Sequence, residues 1–225
     1  MIFIKNEVQG NTEGVKAIYL RRLKQLYNLQ LEPRQLISSE LLDELVFLTD
    51  ELNREIAVYL SRKGQVIQVS VGEHNKVSLE EASFRRGTER LSKIRCIHTH
   101  PQSSGRLSAV DLATLHQLRF DCMAAIGVKA GSCLDIWVGF INPEGYNQTL
   151  AYGPFTRESI KGFNYLDILS DIDKKLIIES QPLENFRERA LLVGVEFTNY
   201  KSELFDPKES LEELRELAEA AGAEI

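Results

Sequence analysis

Apolar and polar residues follow two different periods along the chain, and each change of period marks an element. Residues 38–52 (Ser38-Ser-Glu-Leu-Leu-Asp-Glu-Leu-Val-Phe-Leu-Thr-Asp-Glu-Leu52) predict an amphipathic helix with a Ser N-cap. Ile56–Leu60 and Gln65–Val71 are β-branched runs separated by Ser61-Arg-Lys-Gly64, a hairpin signal. Residues 73–93 are polar and basic, with an Arg85-Arg86-Gly87 turn. Ile94–Ile97 predicts a short buried strand, followed at once by His98-Thr-His100-Pro101. A Ser- and Gly-rich loop, Gln102–Leu107, leads into a helix over Ala109–Phe120, and strands follow at Met123–Val128 and Leu134–Ile141. Strands interleaved with helices predict an α/β fold in which a mixed sheet is flanked by helices. After Pro154 the pattern changes to a helix over 163–176 and a polar connector, Glu179–Glu188. Ala190–Val195 then resembles a buried parallel strand. Ser210–Ala221 predicts a helix that opens on the capping box of Ser210 and Glu213 and stops at Gly222.

Composition narrows the classes. The chain has 225 residues, 43% hydrophobic and 27% charged, which excludes collagen-like, mucin-like and disordered classes. Its apolar runs fall far short of the roughly 18–20 residues that span a bilayer, and no secretory signal opens it. The net charge of −6 argues against a surface wholly devoted to nucleic acid, but the charge is uneven. Residues 1–35 hold six Lys/Arg against three acids, and residues 201–225 hold three against eight. The basic part, Val15–Tyr27, has apolar residues at helical spacing, so it is either a solvated helix face or one that meets RNA or a partner. Cys96, Cys122 and Cys133 form no C-x-x-C pair and sit among apolar neighbours, which points to reduced core thiols and a cytoplasmic location.

The chemistry concentrates in His98-Thr-His100-Pro101-Gln-Ser-Ser-Gly-Arg-Leu-Ser108-Ala-Val-Asp111. Two histidines one residue apart at a strand end, with a carboxylate in the first turn of the next helix, can close on one point. Two imidazoles and one carboxylate leave a fourth tetrahedral position for water, as catalytic zinc sites do. Zinc there lowers the pKa of water toward neutrality and polarises a carbonyl. A nearby carboxylate must still shuttle the proton, and a hydroxyl helps to hold the oxyanion. Taken alone, Ser108-x-x-Asp111 is also a helix capping box that needs no metal.

These residues match the JAMM (MPN+) metallopeptidase signature, H-x-H-x7-S-x2-D, at both spacings, and over roughly residues 36–155 the chain resembles that family and the related RadC proteins. The resemblance implies a JAMM/MPN, deaminase-like mixed sheet flanked by helices. It also implies zinc on His98, His100 and Asp111, an oxyanion role for Ser108, and a peptide or isopeptide substrate. The general-base position falls on Glu55, with Glu51 as the fallback. The family's E-x-x-G-x-L-x-G stretch is Glu55-Ile-Ala-Val-Tyr-Leu-Ser61 here, so Val58 is expected to crowd the cleft where the family has glycine. His74 and His116 fit no ligand spacing and are expected to be solvated or structural.

A wider resemblance runs through Asn53–Val58, Arg85–Gly87, Ile94–His100, Leu118–Val128, Arg189–Glu196 and Ser210–Glu224, and it is to the N-terminal part of long HflX-type, ribosome-associated GTPases. It divides the chain into a basic helical segment (1–35), the JAMM-like domain (36–155), a helix and linker (156–188), and the first βα unit of an incomplete HflX-type domain (189–225). It implies the large ribosomal subunit or rRNA as partner and no membrane. GTP and Mg are expected only downstream, because the chain contains no G-x-x-x-x-G-K-[ST]. The rival expectation is a non-catalytic module that docks on ribosome or RNA through the basic helix and Arg85, Arg86, Arg90 and Arg95.

Overall fold

The computed structural model describes residues 7–72, 90–144, 148–179, 190–194, 206–221 and 223–224. The chain divides into two compact units, Met1–Ser180 and Gln181–Ile225.

In the first unit seven strands form one mixed sheet. They are β1 (Gln9–Gly10), β2 (Ile56–Ser61), β3 (Val66–Val71), β4 (Ile94–Pro101), β5 (Cys122–Lys129), β6 (Ser132–Ile141) and β7 (Thr149–Phe155), in the order β1-β3-β2-β4-β5-β6-β7. The central pair β4–β5 is parallel, and β2 and β6 lie antiparallel on either side of it. Helix α1 (Ala17–Gln25) follows β1 and α2 (Ser39–Leu52) leads into β2. Helix α3 (Ala109–Leu118) crosses from β4 to β5, and α4 (Tyr165–Glu179) follows β7.

Ser38 caps α2 by accepting from the Leu41 amide at 3.1 Å, and Leu41, Leu42, Leu45, Val46 and Leu48 face the core. Asn53 ends the helix at φ 47°, a left-handed conformation that asparagine tolerates, and the chain turns directly into β2.

Because side chains alternate across a strand and antiparallel partners share a face, register assigns each residue of β2 and β4 to one side of the sheet. Ala57 opposes His98, and Tyr59 opposes Cys96. The next position in that register sets Glu55 across from His100. Val58 and Ile97 pair on the opposite side, which also carries Ile56 and Thr99. Helix α2 covers this second side, where Thr49 Oγ1 and Thr99 Oγ1 lie 2.7 Å apart, both buried.

The flanking segments belong to the same core: Leu23, Leu26, Leu31 and Leu36 before α2, and Ile160, Tyr165, Leu169 and Ile172 after β7, are all buried. Arg95, buried in β4, donates to the Tyr165 hydroxyl at 2.6 Å, and that hydroxyl donates to the Pro33 carbonyl at 2.5 Å. Arg62, in the β2–β3 turn, pairs with Asp121 through Nε (2.5 Å) and with Asp173 of α4 through a terminal nitrogen (2.7 Å).

Several elements differ from the sequence expectation. The strand expected over Ile94–Ile97 runs on to Pro101, so both histidines lie within it. β1 and β7 had no counterpart in the sequence pattern. In the second unit α5 (Pro207–Ala220) starts earlier than Ser210, because Asp206 accepts from the Lys208 amide at 2.9 Å and Pro207 occupies the first turn. Ser210 therefore lies inside the helix. Ala190–Gly194 is not in a strand, although the Ala190 amide donates to the Glu224 carbonyl at 2.8 Å. Among the described residues no helix is long and apolar enough to cross a membrane.

Arg62 holds a carboxylate, Asp121, that is 2% exposed. Arg62→Ala leaves that charge without its guanidinium and should cost about 3 kcal/mol in urea denaturation. The more exposed Arg22–Glu44 pair should cost about 1 kcal/mol at most on Arg22→Ala.

Candidate metal centre

Strand alternation puts His98 and His100 on one side of β4 and turns Thr99 to the other. His98 is fully buried and His100 nearly so. Their Nε2 atoms lie 3.0 Å apart. Asp111 reaches them because Ser108 starts α3 as a capping box: Ser108 Oγ accepts from the Asp111 amide at 3.2 Å, and Asp111 Oδ2 accepts from the Ser108 amide at 2.6 Å. That anchoring directs Oδ1 to 3.3 Å from His98 Nε2, with Oδ2 at 3.4 Å from His100 Nε2.

The three residues form a buried group able to offer one ligand atom each to a single ion. Zinc bonds of about 2.0–2.1 Å in a tetrahedron require ligand–ligand edges of roughly 3.3–3.4 Å. The imidazole edge is 3.0 Å, and Asp111 meets the two rings through different oxygens, Oδ1 at 3.3 Å from His98 and Oδ2 at 3.4 Å from His100. With one atom from each residue the ligand atoms all lie within 4.8 Å of one another, and a small closing of the Asp111 side would bring them to that figure. Protonation also fits. His100 Nδ1 lies 3.0 Å from the Ser104 carbonyl, which can only accept, so a neutral ring carries its proton on Nδ1 and turns its Nε2 lone pair into the cluster. Burial pulls the His100 pKa down, but the Asp111 contact, the Ser104 carbonyl and the charges of Asp111 and Glu55 outweigh it, and the net shift is upward. The same field that favours an imidazolium favours a metal cation.

Glu55 is half-buried at the start of β2, opposite His100 in register, and its charge is felt at His100. Two backbone bonds fix its place: its carbonyl accepts from the Gly72 amide at 2.8 Å, and the next amide, Ile56, donates to Thr99 Oγ1 at 3.0 Å. Glu51 is exposed on α2 and accepts from the Tyr19 hydroxyl, so it turns toward α1. Ser108 is exposed at the mouth of the cluster, where its oxygen serves as the cap. Val58, expected to crowd the cleft, is buried on the opposite side against Ile97, so the site face carries only the methyl of Ala57 there.

Other residues part from expectation or confirm it. Arg95 is buried on Tyr165 and presents no charge to RNA, and Arg90 is exposed. Arg85 and Arg86, like His74, lie outside the described residues. In α1, Arg22 pairs with Glu44 and stacks 3.9 Å over Phe47. His116 Nε2 lies 3.0 Å from Thr149 Oγ1, away from the cluster, and burial holds its pKa down. Cys96 and Cys122 are buried, and burial pushes the Cys122 thiol up to about 12 and the Cys96 thiol beyond, so neither is a thiolate at neutral pH.

Sequence reasoning missed the support around the ligands. Asp135 of β6 accepts from the Ser104 hydroxyl and the Gly105 amide, each at 2.6 Å, and from Trp137 Nε1 at 3.2 Å. Gly105 is close to Gly127 of β5, where an added Cβ would stand 2.5 Å from the Gly105 nitrogen. The glycines were visible in the sequence, but nothing in the spacing tied Asp135 to the histidines. No family model matches the chain, and no curated protein matches it. The class defined by fold and site is thus an α/β domain with a buried His-His-Asp cluster able to take a metal ion.

Thr99→Val keeps the shape of the side chain and leaves the buried Ile56 amide without its acceptor. Denaturation should show a loss of about 1–3 kcal/mol, and Thr99→Ser should stay near wild type. Asp135 gives a second, pH-dependent expectation. Partial burial raises its pKa, but the Ser104, Gly105 and Trp137 bonds and the His100 charge bring it below its ordinary value. A depressed carboxylate stabilises the fold above the unfolded pKa of about 3.9, and that contribution is lost as pH falls through the lower folded value. Acid titration below about pH 4 should therefore weaken wild type more steeply than Asp135→Asn.

Proposed function

We propose that this domain is a zinc-dependent hydrolase acting on an amide or isopeptide bond, with His98, His100 and Asp111 as the metal ligands. The observation that carries the proposal is the convergence of two imidazole nitrogens and a carboxylate oxygen inside the fold, with the His100 proton held on the far nitrogen. When bound there, zinc supplies Lewis acidity toward a carbonyl and acidifies water.

The remaining work falls to the chain. Glu55, held at the head of β2 on the same side as the histidines, takes a proton from the attacking water and passes it to the leaving nitrogen. The Ser108 oxygen is the acceptor in its capping bond, which leaves its hydroxyl hydrogen to donate to a developing oxyanion. Ala57, opposite His98, puts no more than a methyl group beside the ligands. The JAMM signature in residues 98–111 supports this reading. The wider order of segments supports the further proposal that the chain is part of an HflX-type protein that meets the large ribosomal subunit.

Protein purified without chelator should carry about one zinc per chain. His98→Ala and Asp111→Ala should lose it, and Glu55→Gln should keep it. On isopeptide-linked substrates Glu55→Gln should lower turnover by about 10²–10⁴-fold. Equal, negligible zinc in wild type and in the His98→Ala/Asp111→Ala double variant would remove the metal reading. Ribosome cosedimentation should weaken with salt and on replacement of Arg21 and Lys24, and indifference to both would count against docking through α1.

A further inference from the structure

One component of the ligand cluster comes from outside the helices and strands. His98 and His100 are carried by a central strand and Asp111 by a helix start, but the acceptor that orients His100, the Ser104 carbonyl, lies in the irregular segment between them. Ser103 and Ser104 are exposed, and the Ser103 hydroxyl reaches that carbonyl only at a long 3.5 Å.

We infer that Asp135 is a positioning residue of the metal centre: by clamping Ser104 and Gly105 it aims the Ser104 carbonyl at His100 Nδ1, and so keeps the His100 Nε2 lone pair turned toward His98 and Asp111. The inference rests on the zinc reading above.

Asp135 is suited to this by where it stands and by what it accepts. It comes from β6, two strands away from the histidines, so it is anchored independently of the segment it holds. Its two oxygens take different donors of the segment: Oδ2 accepts the Ser104 hydroxyl and Oδ1 the Gly105 amide, both at 2.6 Å. Hydrogen bonds to an ionised carboxylate are short and about twice as strong as neutral ones. The Ser104 hydroxyl oxygen, Oγ, also accepts from the Arg106 amide at 3.1 Å, so the clamp spans three residues. The flanking residue Gln102 donates to the Val128 carbonyl at 2.7 Å, which ties the start of the segment to β5.

The clamp decides between two proton positions. Asp111 Oδ2, 3.4 Å from His100 Nε2, draws the single proton of a neutral ring toward Nε2, where it blocks metal binding. The Ser104 carbonyl, 3.0 Å from Nδ1, draws it the other way. If Ser104 is released, the Asp111 side wins and the centre loses a ready ligand. Outer-shell partners of ligating histidines that act in this way are worth about 10–100-fold in metal affinity.

The test measures zinc affinity by competition with a chromophoric chelator for wild type, Asp135→Ala, Asp135→Asn and Trp137→Phe, with thermal melting of each. Asp135→Ala should bind zinc about 10–100-fold more weakly. Asp135→Asn, which keeps one acceptor oxygen, should fall between. Trp137→Phe removes a donor to Asp135 without touching Ser104 and should stay within about threefold of wild type. Nitrogen-15 NMR of the imidazoles in metal-free protein, at alkaline pH where the spectra themselves show neutral rings, supplies a readout that simple destabilisation does not move. It should show His100 protonated on Nδ1 in wild type and on Nε2 in Asp135→Ala. Zinc affinity within about threefold of wild type in Asp135→Ala overturns the inference and leaves the zinc reading standing. Weaker zinc with an unmoved tautomer overturns it as well. If wild type itself binds no zinc, the zinc reading fails, and the tautomer comparison alone upholds or overturns the role of Asp135.

Discussion

Gly105 and Gly127 lie backbone against backbone, and because neither carries a Cβ, the segment leaving β4 can settle onto β5 instead of arching away from it. An added Cβ at Gly105 would stand 2.5 Å from the Ala125 carbonyl oxygen and 2.7 Å from the Gly127 nitrogen. From that approach much of the site follows. Ser104 comes under Asp135, its carbonyl meets His100, and α3 begins where Asp111 can face both histidines. A side chain at either glycine would lift the segment, and the three ligand atoms would no longer share one point.

The sheet separates what folds the domain from what equips it. One side of the β2–β4 pair carries Ile56, Val58, Ile97 and Thr99 against α2, with a buried threonine pair as its polar fastening. The other carries Ala57, Tyr59, Cys96, His98 and His100, with Glu55 next in register. Thr99 links the two: its side chain belongs to the α2 side, but it accepts from the Ile56 amide and so holds the backbone that presents Glu55. The histidines are thus spaced by the strand, and their intervening residue serves the opposite core. This is a physical reason for an H-x-H spacing with a small β-branched hydroxyl residue between.

Much of this was legible along the chain. Ser38 at the head of α2, the β2–β3 hairpin and the His98, His100, Asp111 triplet each depend on contacts between residues close in sequence, or on strict alternation. What was missed depends on distant partners. β7 contains Gly153 and Pro154 and is largely solvent-facing on its outer edge, so its composition reads as a connector, and pairing with β6 makes it a strand. β4 continues through His100 and Pro101 because β5 pairs with it through Val128, although neither residue favours a strand. Asp135 was invisible because its partners in the segment are a serine hydroxyl and a backbone amide, and backbone groups leave no residue-type signal. Val58 was misjudged for a different reason: a motif position was read as a cleft position before the side of the strand was known.

Asp111 has two occupations, and they are separable. Its Oδ2 completes the cap of α3 through the Ser108 amide, and its Oδ1 faces His98. The first is a requirement of the helix whether or not a metal binds; the second bears only on an ion that the cluster could take. In a set of such chains, an intact Ser-x-x-Asp therefore reports a well-started helix and says little about catalysis. The two histidines cap nothing and cost the interior a pair of polar rings, so they, and not the Ser-x-x-Asp, are the residues that would track any use of the cluster as a metal site.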